Sequence, residues 1–420
     1  MTPDLRLDDA ARVRRVTRRL ETRGLPGLGE ALARLRGSPI GGGWRIDTLY
    51  AVGAEGAVFT TSDDGTTGAP PTVVKIPLLP YHRPADISSA MLRHRRAALR
   101  EEARYLARSA SPYMPRDCGL HEFINPLLES GRGGPFEETD PALVMERLPG
   151  LDVDLWLARI HRSGLSRTIL RERLDAIAVM LLDALRDLEM RGFFYADLRP
   201  GNLRVTGRPL RRLRLLDAGS LVEVGDTSGR YPHVPHYLPP DLFERRYMSG
   251  LPIVPSAAAQ AVMAGRTLYE IVTGCVPMPG RPLDVSDLRN SCVSPVIADA
   301  IDGLGAGSFS SVVSTLKYIA RNRSRQSVGV PANGIAAAPA VPPLRSDAPV
   351  TEVPAPIAAR LAASAARPAP EPPGPREPRA AAESAAPPAT PSAHEPPRGF
   401  WQRLLDRAAP WRRRRDEVAT

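Results

Sequence analysis

Four polar side chains stand where apolar neighbours or a fixed turn would hold them still: Lys75, Asp197, Asn202 and Asp217. Asp197 and Asn202 lie five residues apart, with Pro200 between them, in Tyr195-Ala196-Asp197-Leu198-Arg199-Pro200-Gly201-Asn202. Soon after, Leu215-Leu216-Asp217-Ala218-Gly219 reads as an apolar strand that delivers an aspartate into a glycine turn. An isolated Asp-x-Gly is ordinarily only a turn. Behind an apolar strand, and following the 195–202 loop, it reads as a site. Carboxylate and amide oxygens are hard ligands, suited to a cation that bridges phosphates. Lys75, flanked by Val73, Val74 and Ile76, needs an anion if its head group is buried. The plainer alternative is an edge-strand lysine whose ammonium reaches water.

The 195–202 run resembles the catalytic loop of protein kinases, H-R-D-L-K-P-x-N, with its first two letters changed to Tyr195 and Ala196. The resemblance implies that Asp197 orients an acceptor hydroxyl and takes its proton, while Asn202 and Asp217 hold magnesium. Arg199 stands where the family places a lysine on the transferred phosphate. Asp217-Ala218-Gly219 is similar to D-F-G, and Val73-Val74-Lys75-Ile76 to V-A-I-K. Lys75 would then bind nucleotide phosphates and pair with a helix glutamate. Glu102 fits that role by its register to Leu106, with Glu101 as a competitor. The turn Ala51 to Val58 keeps Gly53, Gly56 and Val58 of G-x-G-x-x-G-x-V, which implies phosphates under the glycines and adenine under Val58. Alone, that turn is an ordinary hairpin. Leu143 to Gly150 resembles the hinge, where backbone groups of Glu146 and Leu148 would bind adenine in front of Met145. Tyr237-Leu238-Pro239-Pro240-Asp241 and Gly265 to Gly274 are similar to the end of the activation segment and the buried lobe helix. The order of these segments, from about 51 to 274, carries the resemblance.

It implies an α+β, two-lobed protein-kinase-like fold, with a small β-rich N-lobe and a larger helical C-lobe. It also implies ATP and Mg2+ as cofactors and a Ser/Thr-bearing protein as acceptor. The other class of reading is a pseudokinase, a nucleotide-binding or empty scaffold that acts through protein interaction. Gln260 takes the place of the aspartate that braces the catalytic loop from the lobe helix.

The hydrophobic pattern supplies elements to position these residues. Short strand-like runs span Trp44 to Ile76 and 141–146, a helical stretch spans 86–109, and a long amphipathic helix spans Leu170 to Met190. Residues 1–43 form a basic helical extension and 44–325 the catalytic-type domain, divided into 44–148 and 149–325. The 45 prolines of the 420-residue chain are densest toward its C-terminal end, so 326–398 reads as a disordered Pro/Ala-rich linker. Residues 399–420 are a basic aromatic segment, of which 399–415 suits an anionic membrane surface. The net charge of +10 comes with Arg far above Lys, as in a high-GC bacterial genome. No nucleic-acid module accompanies it. The three cysteines have neither metal spacing nor a disulfide framework, and no secretory leader or apolar run of membrane-spanning length is present. The expected location is cytoplasmic, with peripheral membrane association through 399–415.

Ala196 removes the arginine that pairs with a phosphate on the activation loop in many kinases. Phosphorylation of Thr227 or Ser228 is therefore not expected to control the protein by that route. Thr227→Ala should retain wild-type phosphoryl transfer in a label-transfer assay, and a collapse in rate would contradict the reading.

Overall fold

The computed structural model describes residues 16–18, 20–21, 25, 27–53, 55–63, 70–129, 139–162, 165–207, 212–226 and 234–328. Of the expected linker at 326–398, residues 326–328 continue the helix Val312–Val328; the rest, the 399–420 segment, Ala54 and the pair Thr227–Ser228 lie outside the described residues.

The first helix, α1 (Leu28–Ala33), leads to β1 (Pro39–Ile40) and β2 (Trp44–Val52). Strands β3 (Gly56–Asp63) and β4 (Thr72–Pro77), helix α2 (Ser89–Ser109), and strands β5 (Asp117–Ile124) and β6 (Thr139–Glu146) follow. The six strands pair antiparallel in the order β1-β2-β3-β4-β6-β5.

Strand periodicity decides where Lys75 points. Successive side chains face opposite sides of a sheet, and both sides of β4 and β6 are buried. Val74, Ile76, Ala142 and Val144 join one core; Val73, Leu143 and Met145 join another. Lys75 shares the face of Val73 and stands opposite Leu143 across the ladder. That face looks toward α2 and the helical part. The opposite face is covered by the chain's own beginning, since Val16, Leu20, Leu28, Leu32, Leu35 and Ile40 are buried in the core of Val74 and Ile76. The described part of the 1–43 extension thus shares a core with the sheet. Ile40 also pairs with Trp44 in the ladder.

Helix α2 starts at a Ser88 cap, whose hydroxyl accepts from the Met91 amide at 3.1 Å. Its buried residues include Leu92, Leu99, Ala103 and Leu106, together with two charges, Arg96 and Glu102. Each charge has a counter-ion. Arg96 Nε donates to Asp140 Oδ1 at 2.6 Å, and Asp140 Oδ2 accepts from Asn125 Nδ2 at 2.6 Å.

The helical part opens with β7 (Leu151–Asp152), α3 (Val153–Arg162) and α4 (Arg167–Met190). Short strands β8 (Phe193–Tyr195), β9 (Leu203–Thr206), β10 (Arg212–Leu215) and β11 (Leu221–Glu223) carry the loops of interest. They form a three-stranded sheet, β10-β9-β7, and a pair, β11-β8. Helices α5 (Ala257–Thr273), α6 (Pro295–Gly305) and α7 (Val312–Val328) complete it. Helix α5 is buried along most of its length, including polar Gln260, Arg266 and Thr267. Arg266 donates to the carbonyls of His236, Arg281 and Met278 at 2.8, 2.8 and 2.5 Å, which ties the segment before the Pro239-Pro240 turn to the core.

Strands come first and helices after, as expected, and all described residues fall in one compact unit. The core that holds Val73 and Met145 continues into α4 and α5, so the two parts share packing. Among the described residues no helix is long and apolar enough to cross a membrane.

Removing one member of a fully buried ion pair leaves an uncompensated charge. Asp140→Ala should therefore lower the unfolding free energy by about 3–5 kcal/mol. Denaturant melts check this, and a loss below about 1 kcal/mol would show that Arg96 finds water or another partner.

Candidate active site

Lys75 sits at the meeting point of three elements. Its ammonium donates to Glu102 Oε1 of α2 at 2.8 Å and to Asp217 Oδ1, at the end of β10, at 2.6 Å. Glu101 lies on the outer side of α2 with Arg104 at 3.1 Å, so Glu102 is the residue paired with Lys75. Two glycines make room for this cluster. A Cβ on Gly56 would meet Lys75 Cε at 2.6 Å, and one on Gly219 would meet Glu102 Oε2 at 3.0 Å. Gly56 therefore serves the lysine stem in addition to any phosphate. Gly53 donates its amide to the Gly56 carbonyl at 2.9 Å, closing the turn. Val58 stands opposite Lys75 in the ladder and packs on the core.

The 195–202 loop is braced from α5. Gln260 Oε1 accepts the Tyr195 amide at 2.6 Å, and Thr267 Oγ1 donates to the Leu198 carbonyl at 3.0 Å. Gln260 thus supports the loop as its position in the sequence implied. Tyr195, fully buried, donates its hydroxyl to the Leu216 carbonyl, while the Leu216 amide donates to the Asn202 carbonyl at 2.8 Å. These two bonds fix the strand before Asp217 against the loop that holds Asp197 and Asn202.

Within the loop, Asp197 Oδ2 accepts from Asn202 Nδ2 at 2.8 Å and from Arg199 Nε at 3.0 Å. Asn202 Nδ2 also donates to the Asp197 carbonyl at 2.8 Å. Asp197 Oδ1 is buried with no hydrogen-bond partner among the described residues. Asp217 has φ +56°, ψ +83°, a left-handed conformation that costs a non-glycine residue energy. Strain of this kind persists where surrounding bonds over-determine it.

Two carboxylates share one ammonium, and the imbalance shows in their ionisation. Burial raises Glu102 from 4.5 to about 7 against the pull of Lys75, and the Asp217 charge adds to the rise. Burial opposes the charge on Lys75, but Asp217 and Glu102 outweigh it and hold the ammonium above the usual lysine range. Burial would also raise Asp217, yet Lys75 pulls it below the usual aspartate range. No group of three His, Cys, Asp or Glu able to hold a metal occurs among the described residues. A cation here would rest on Asp217 and Asn202, hard oxygen donors from adjoining segments, with the remaining ligands drawn from phosphate and water.

At the expected base-binding edge the Arg204 side chain joins the backbone. Leu148 is buried, and its carbonyl accepts from Arg204 Nη1 at 3.0 Å. The same nitrogen donates to the Tyr50 hydroxyl at 2.9 Å, while Arg204 Nε and Nη2 donate to Asp152 Oδ1 at 2.9 and 2.6 Å. Glu146 donates its amide to the Arg116 carbonyl at 2.9 Å and accepts Arg214 Nη2 on its carboxylate at 2.9 Å. Tyr50, Asp152 and Arg204 were not singled out from the sequence. The available signal was a charge inside the strand run Leu203-Arg204-Val205, the same signal that marked Lys75.

No protein-family model and no curated protein matches the chain. Among solved structures it is similar to the kinase domain of Mycobacterium tuberculosis PknI at 17% identity, over 68% of this chain and 98% of that one, with a TM-score of 0.44. A double-mutant form of that domain gives 18% identity over 68% and 98%, with a TM-score of 0.46.

Between pH 4.5 and about 7 the folded protein keeps a proton on Glu102 that the unfolded chain has released. Stability then falls as pH rises through that window. Lys75 and Asp217, shifted outward, do not titrate in it. Wild type should lose roughly 2–4 kcal/mol relative to Glu102→Gln across this range in denaturant melts. Parallel pH profiles for the two proteins would contradict the assignment.

Proposed function

We propose that the chain is a divergent protein-kinase-like phosphotransferase that uses ATP and Mg2+ and passes the terminal phosphoryl group to Ser or Thr hydroxyls of a protein. The observation that carries this reading is the state of Asp197. One of its carboxylate oxygens is held by Asn202 and Arg199, and the other is buried without a partner. A buried acceptor left open costs free energy unless something donates to it. An acceptor hydroxyl is such a donor.

Asp197 Oδ1 would take the hydroxyl proton as the new O–P bond forms and the bond to the leaving diphosphate breaks. Arg199, kept positive beside Asp197, places charge where the transferring group becomes more negative. Asp217 and Asn202 would hold Mg2+, whose contribution is to neutralise phosphate charge. Asp217 is the more exposed of the two acids on Lys75, at 37% against 6% for Glu102, so it is the one able to turn toward a cation. That turn would leave the Lys75 ammonium to Glu102 and to phosphate oxygens. The protein class of the acceptor rests on the resemblance at 195–202 and at 237–241, since the ATP site does not encode it.

Transfer of radiolabel from ATP to a protein acceptor tests the reading. Asp197→Ala and Asp217→Ala should each reduce it by about 10²–10⁴-fold. Label that persists in both variants would sink the enzyme reading, and Mg2+-dependent nucleotide binding by wild type without transfer would favour the scaffold.

A further inference from the structure

Arg204 takes no part in the reaction outlined above, yet it occupies the edge where a base would bind. It is only 8% exposed. A guanidinium has five N–H donors, and Arg204 commits to Leu148 O, Tyr50 Oη and Asp152 Oδ1. Its Cζ lies 5.9 Å from the centre of the Tyr50 ring, which Arg147 also approaches at 5.3 Å. Tyr50 belongs to β2, one residue ahead of the Ala51–Val58 pair that opens the glycine turn. The side chain thus bridges β2, the segment after β6, and β7.

This bridge uses the group a base would need. The Leu148 carbonyl is one of the backbone groups of Glu146 and Leu148 expected to face adenine, and the chain's own arginine has it, with its 8%-exposed side chain lying between that carbonyl and Tyr50. A base reaching that carbonyl must first expel a buried cation from its carboxylate, and a broken pair of this kind leaves Asp152 uncompensated. The phosphate end is different: Lys75, Asn202 and Asp217 line it, and Arg204 bonds none of them.

We propose that Arg204 fills the base subsite, so that the protein takes its nucleotide through the polyphosphate end and discriminates little among bases. The proposal rests on the phosphotransferase reading for that end. A subsite closed most of the time weakens every ligand that needs it by the fraction of time it is open, and leaves unaffected a ligand that does not.

The full-length chain can be titrated calorimetrically with Mg2+ and ATP, GTP or inorganic tripolyphosphate. Wild type should bind the three within about threefold of one another. Arg204→Leu should bind ATP at least about tenfold more tightly, with tripolyphosphate unchanged. Because Arg204→Leu strips Asp152 of its partner and could unfold the protein, Tyr50→Phe serves as the milder variant. It keeps the ring, removes one acceptor, and should tighten ATP by a smaller factor. Wild type preferring ATP to tripolyphosphate by about tenfold or more would overturn the proposal. So would unchanged ATP affinity in both variants, and either result leaves the phosphotransferase reading standing. If none of the three probes binds wild type or either folded variant, the phosphate-end reading fails and the proposal falls with it.

Discussion

The shared ammonium of Lys75 is the constraint on which the rest of the structure depends. It joins a strand of the six-stranded sheet, a helix packed on that sheet, and the end of a strand that belongs to the helical part. Three segments far apart in sequence meet at one charge. Both carboxylates are within hydrogen-bonding distance, so one ammonium serves two acids, and burial holds a proton on Glu102 up to about pH 7. Of the two acids, Asp217 is the one nearer solvent.

Support for the catalytic-type loop comes from neutral groups where a charge is common in the family it resembles. Gln260 holds the Tyr195 amide, Thr267 holds the Leu198 carbonyl, and the Tyr195 hydroxyl reaches the Leu216 carbonyl. Neutral hydrogen bonds are weaker than charge-assisted ones, but here several act together on one short loop. The amide nitrogen of Gln260 is buried with no hydrogen-bond partner among the described residues, a cost that the loop's other bonds offset.

Much of this arrangement was legible in the sequence through the order of the motifs that resemble those of protein kinases. The apolar flanks of Lys75 in Val73-Val74-Lys75-Ile76 marked it as a lysine that needs an anion if buried, and register to Leu106 favoured Glu102 over Glu101. The Asp197–Asn202 spacing survived folding as a direct side-chain contact. Two things were not legible. Arg204 sits in a four-residue strand where propensity says little, and its partners Tyr50, Leu148 and Asp152 come from three other segments that only the fold assembles. The role of residues 16–43 was also hidden, because an amphipathic pattern shows that a face is buried but not against what. Leu28, Leu32 and Leu35 turn out to lie against the sheet face that carries Val74 and Ile76.

Helix α2 is fastened to the sheet twice, by Arg96 to Asp140 and by Glu102 to Lys75. The fasteners are six residues apart, roughly 9 Å along the axis. A helix pinned at one point can pivot like a lever; pinned at two, it cannot swing without tearing the inner bolt, where Arg96 and Asp140 are sealed from water. The ammonium is thus held from unlike supports: Glu102 on a helix tied to the sheet at two points, and Asp217 in a short turn with the more exposed carboxylate.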